Sequence, residues 1–206
     1  MIYEKGLLKA MKELYKSYGY SVANEHGTLW IVSGSWYVGL RGNCISNDIK
    51  SLIVLHFGIM PSSGQAMKVH KGEDPQTETM AVLLAMMDNM EDAEPEQEYK
   101  VTPIRLGDRV VFQNDRFLVR LAREADLLPM GYGNKTYLRD GQWLVQESAD
   151  YFVAVLCYRG AEEEQGKIGL LEQMDWRDWI WSLGRSFGGG LLLPTGFRNS
   201  SPKLIQ

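Results

Sequence analysis

Hydrophobic positions recur along this chain at two periods, and the change from one to the other marks its elements. Residues 3 to 18 place Leu7, Leu8, Met11, Leu14, Tyr15 and Tyr18 on one helical face, with Glu4, Lys5, Lys9, Lys12, Glu13 and Lys16 elsewhere. The pattern predicts an amphipathic helix docked on a core and closed by Gly19. YSVANE, a His26-Gly27 turn, TLWIVSG and SWYVGLRG then read as three strands. Asn47 can cap a second helix through DIKSLIVLHF, stopped by Gly58 and Pro61. Residues 61 to 75 read as a Gly, Ser and Lys loop. A third helix is predicted from 76 to 90, where eight consecutive apolar residues, Met80 to Met87, imply burial on more than one side.

The alternating period returns in the second half. RVVFQ and RFLVRL flank Asn114-Asp115, and YLR, an Asp140-Gly141 turn, QWLVQE, a corner at 148 to 150 and YFVAVLCY follow. Asp-Gly between apolar runs is a strong hairpin signal, because both positions tolerate positive φ. YFVAVLCY is apolar on both alternating faces, which suits a central strand covered on each side. In each of the three β blocks an aromatic and two aliphatics follow the turn, as in Trp30-Ile31-Val32, Phe117-Leu118-Val119 and Trp143-Leu144-Val145. With no fixed period, generic hairpin chemistry explains this better than an internal repeat. AEEEQGKIGLLEQ reads as a polar link, and a fourth helix spans 175 to 183. The expected fold class is α+β: a mainly antiparallel sheet built from hairpins and packed with about four helices.

The acidic run DNMEDAEPEQE, residues 88 to 98, holds six acids and no Lys or Arg, and marks a linker near Pro95. The expected organisation is one α+β domain over 1–183, or two lobes, 1–90 and 100–183, joined by that linker. Residues 184–206 form a C-terminal arm in either case. A net charge of −4 over 206 residues disfavours direct, charge-driven nucleic-acid binding. Charges spread through the first twenty residues are unlike a signal peptide, and no window reaches the roughly 18 apolar residues of a membrane span. The expected setting is therefore the cytoplasm, with no membrane partner.

Candidate chemistry is sparse. Cys44 and Cys157 form neither a disulfide framework nor a zinc pattern. Cys44, His56 and His70 are the residues from which an enzyme site would have to be built; Cys44 sits in a Gly-flanked loop without a nucleophile signature. His56, His70, Glu73 and Asp74 match no metal-ligand spacing, so no metal is expected. Gly39 to Asn43 and Gly188 to Gly190 lack the phosphate-loop pattern, so no cofactor is expected either. A second alternative is a nucleic-acid binder using Lys68, His70 and Lys71 with the basic residues of the first helix.

What stands out is acidic and aromatic surface. Glu91, Asp92, Glu94, Glu96 and Glu98 could present carboxylates to a basic partner, as a surface imitating nucleic-acid phosphates does. Six Trp and ten Tyr are many for one modest core. Trp36, Tyr37, Trp176 and Trp181 are the candidate exposed anchors, since Trp is favoured at interface hot spots, although large aromatics mostly fill cores. The leading expectation is a small interaction protein, an inhibitor or adaptor of a larger protein with a basic, nucleic-acid-binding surface, rather than an enzyme. A bacterial mobile-element or phage accessory protein matches that profile.

Overall fold

A computed structural model describes residues 2–79, 97–131, 133–160 and 162–174. The chain opens with helix α1 (Glu4–Lys16), then strands β1 (Tyr20–Glu25), β2 (Thr28–Val32) and β3 (Trp36–Arg41), then helix α2 (Asn47–Phe57). Strands β4 (Gln65–Val69), β5 (Gln76–Glu78), β6 (Gln97–Leu106), β7 (Arg109–Asn114) and β8 (Val119–Arg123) follow. Strands β9 (Thr136–Arg139), β10 (Trp143–Glu147) and β11 (Tyr151–Leu156) precede helix α3 (Gln165–Leu171). All eleven strands form one sheet in the order β5-β4-β1-β2-β3-β11-β10-β9-β6-β7-β8, with every pair antiparallel.

The hairpins form where the turn chemistry predicts them. His26 and Gly27 both have positive φ, as do Asp140 and Gly141, and each pair joins strands of matching register. Asn114 closes its turn with its side chain, whose Oδ1 accepts from Arg116 N and Leu118 N at 3.0 and 2.9 Å. Strand β11 lies sixth of eleven, between β3 and β10, and its residues from Tyr151 to Val155 are buried. Because β3 pairs with β11, segments on both sides of the acidic run share this sheet.

The expected α+β layout with about four helices does not form. The protein is mostly sheet, eleven strands against three α-helices among the described residues. Residues 76–78, expected to begin a helix, are an edge strand on β4; residues 80–96 and the predicted helix at 175–183 lie outside the described residues. Strand β4 arises within the expected loop because Ala66, Met67 and Val69 gain cover from the sheet and helices. Strand β6 replaces the end of the expected linker; among its charged residues Lys100 is exposed, and Glu98 and Arg105 are half-buried. Pro103 cannot donate to a ladder, and the strand bulges around it, between Val101 and Arg105. Helix α3 forms in the expected polar link, anchored by Ile168 against Val111, Val119 and Leu121.

Two layers of core follow from strand alternation. One sheet face carries Val22, Ile31, Trp36, Val38, Leu144 and Val153 under α1 and α2, together with Leu7, Met11, Ile49 and Ile53 from the helices. The other carries Trp30, Tyr37, Trp143 and Phe152. Ser46, not Asn47, caps α2: its Oγ accepts from Ile49 N at 3.2 Å and donates to Glu4 Oε1 at 2.7 Å. Gly58 ends α2 in the left-handed conformation.

Candidate functional site

A groove opens where the sheet splits. Strands β6 and β9 pair only from Gln97 to Tyr99, while β6 runs on to Leu106 beside β7. The segment between β8 and β9 diverges from it, and a groove of about 640 Å³ opens between that segment, β6 and α1. Its apolar side chains include Tyr99, Val110, Phe112, Leu127, Leu128 and Met130, with Val101 at its exposed edge. Strand alternation aims the first three to the helix-bearing face, and the apolar turn Leu127-Leu128-Pro129-Met130 supplies the rest.

Charged residues edge the groove in loosely held pairs. Lys9 and Glu13 of α1 are 3.8 Å apart, Glu98 and Lys135 are 3.8 Å apart, and Lys100 stands 3.5 Å from Asp115. Exposed pairs of this kind are worth about 0–1 kcal/mol, so a partner can displace them at small cost. Arg105 Nη1 donates to the carbonyls of Thr102 and Ile104, which keeps its guanidinium along β6.

Buried Gln146 holds the wall opposite β6. Its Oε1 accepts from Gly131 N at 2.9 Å, and its Nε2 donates to Gly131 O at 3.1 Å and to Thr136 Oγ1 at 3.0 Å. This two-way amide bridge ties the turn after Met130 to β10. Such a wall suits binding a ligand in a defined register.

Of the partner-binding residues singled out in the sequence, three are described, and one of them, Glu98, lines the groove. Trp36 and Tyr37 are each 1% exposed, on opposite sheet faces, and serve the core. Glu91, Asp92, Glu94, Glu96, Trp176 and Trp181 lie outside the described residues. Glu98 sits on the groove edge, so the acidic run ends there. Tyr99, Phe112, Leu127, Leu128 and Met130 were not anticipated; an apolar Leu-Leu-Pro-Met turn between strands is the signal that could have raised them.

The Cys-His combination does not assemble. Cys44 precedes α2 and His56 lies in its last turn, about 13 Å along the axis from the first helical residue at 1.5 Å per residue. The His56 ring stacks on Tyr15 at 3.9 Å, and its Nδ1 lies 2.9 Å from Tyr20 Oη. Burial, and secondarily the charge of Lys12, push the His56 imidazole below the usual histidine range, while burial pushes the Tyr20 phenol up. His70 Nε2 donates to Ser17 O at 2.6 Å, and its Nδ1 faces Glu73 at 3.8 Å. Among the described residues no three His, Cys, Asp or Glu converge as metal ligands would, and no helix is long and apolar enough to cross a membrane.

No family model matches the chain, and no curated protein is similar to it at a significant level. Among solved structures, a DNA polymerase III subunit beta DnaN sliding clamp from Bartonella birtlesii LL-WM9 is similar over 82% of this chain and 66% of that one. The identity is 7% and the TM-score 0.29, a likeness too loose to carry a function.

Proposed function

We propose that this protein acts by holding another protein. Its groove takes an extended segment with apolar side chains, and the acidic residues that lead to Glu98 engage basic residues beside that segment. The observation behind this reading is the parting of β6 from β9 over an apolar floor with displaceable charges at its edge. Its volume, about 640 Å³, falls in the ~300–1,000 Å³ range of binding sites. An inhibitor or adaptor acting inside the cell on a larger protein with a basic, nucleic-acid-binding surface fits this description. Carboxylates at Glu91, Asp92, Glu94, Glu96 and Glu98 would meet that surface, with Trp176 and Trp181 as further contacts.

Selection of binders from a random peptide library tests the proposal. Selected peptides should combine apolar anchors with Lys or Arg. Val101→Asp, at an exposed groove residue where a new charge does not threaten the fold, should weaken them about tenfold or more, a loss of about 1.4 kcal/mol. Converting the five acids to amides should weaken them separately. Binders indifferent to both changes would show that the groove is not the docking site.

A further inference from the structure

The lysines of α1 are not scattered. Lys5, Lys9, Lys12 and Lys16 follow i, i+4, i+7, i+11, a single stripe about 16 Å long at 1.5 Å per residue. All four are exposed, directly opposite buried Leu7, Ala10 and Met11. Helix α2 lies beside α1 and parallel to it: Ser46 bonds Glu4 at the N-terminal ends, and His56 stacks on Tyr15 at the C-terminal ends. After its inward face is spent on Ile49, Leu52, Ile53 and Phe57, α2 still presents Val54 and Leu55, with Ile59 just beyond its end. Leu55 is 76% exposed.

The lysine stripe comes nearest the exposed apolar residues of α2 at His56, whose sequence neighbour is Leu55 and whose nearby charge is Lys12. At the same end Lys71 N donates to Tyr15 O at 2.9 Å, which adds another exposed lysine. Of the acids of these helices, only Glu13 forms an ion pair with a lysine of the stripe, Lys9. Glu4 is held by Ser46, and Asp48 lies in the first turn of α2.

We propose that the outer face of α1 and α2 is a second docking surface, fitted to an acidic amphipathic helix of a protein partner. Four cations in a row would attract any polyanion, but phosphates make no use of exposed Leu55, Ile59 and Val54. A helix with Glu or Asp repeating at three and four residues matches the lysine row charge for charge, and its apolar stripe covers α2. Lys5, Lys12 and Lys16 do not line the groove, so this surface can fail or succeed independently of it.

Fluorescence anisotropy on the full chain decides the matter. The probe is a labelled synthetic helix of ~18 residues, five turns, with Leu on one face and Glu on the other. A scrambled peptide of the same composition, a short DNA duplex and phosphatidylserine vesicles are the comparisons. The amphipathic peptide should bind saturably and the scrambled one should not. The triple change Lys5→Glu, Lys12→Glu and Lys16→Glu, and separately Leu55→Ser, should each weaken it about tenfold or more. A peptide with Lys replacing Glu should recover binding to the triple variant. Equal binding of the scrambled peptide, no saturable binding, or tighter binding of DNA or vesicles that Leu55→Ser leaves unchanged would each overturn the proposal.

Discussion

Trp30, two strands from its aromatic partner, needs the absence of a side chain on the strand between them. It stands opposite Gly39 on β3, which stands opposite Phe152 on β11, and its indole crosses Gly39 to meet the Phe152 ring edge to face, centroids 5.9 Å apart. A methyl group on Gly39 would lie 2.7 Å from the indole carbon Cζ3. Gly39→Ala should therefore destabilise the fold by about 1–3 kcal/mol, the usual cost of overpacking, measured as a lower urea midpoint. Adding Trp30→Phe should return part of that loss, because the two sites share one contact. Trp36 and Tyr37 teach the same lesson. Their positions in a strand were readable, but neither exposure nor partner is written in a residue's type.

Helices α1 and α2 are joined through an ionisable ring. A neutral His56 can accept from Tyr20 Oη at Nδ1 and stack on Tyr15, and its lowered pKa means that folding favours that neutral form. The unfolded chain, with an ordinary histidine near 6.5, binds the proton more readily. The contribution is thus complete above about pH 6.5 and falls away as the pH drops through the lowered folded value. Thermal unfolding should show a smaller loss of Tm between neutral pH and about pH 5 for His56→Phe, which keeps the stack without titrating; an unchanged loss would remove His56 from this role. Both helices were legible in the sequence, α1 from its apolar spacing and α2 from its cap and stop residues. Strands β4 and β6 were not, because segments interrupted by Lys, Glu and Pro match no clean alternation until neighbours supply cover.

Across the whole molecule, stability should grade from the middle of the sheet outward. Strand β11 has paired neighbours on both sides and apolar layers on both faces, whereas β5 is three residues long at one edge. Native-state hydrogen exchange should find the slowest amides in β11 and β3 and far faster ones in β5. Equal protection of β5 and β11 would contradict that order. The same topology separates the two proposed docking surfaces except at Lys9: the groove opens at the β6–β9 parting, and the rest of the lysine stripe faces solvent on the helix that walls it.

The sequence by itself determined the local pieces: α1 and α2, the His26-Gly27 and Asp140-Gly141 turns, and the central character of 151–156. Those depend on backbone preference and on periodicity within a dozen residues. Tertiary structure alone decided the strand order and the balance of sheet over helix, which require pairing between segments distant in the chain. It also decided the groove, because a cleft is made where β6 and β9 diverge, and neither strand encodes how far the other follows it.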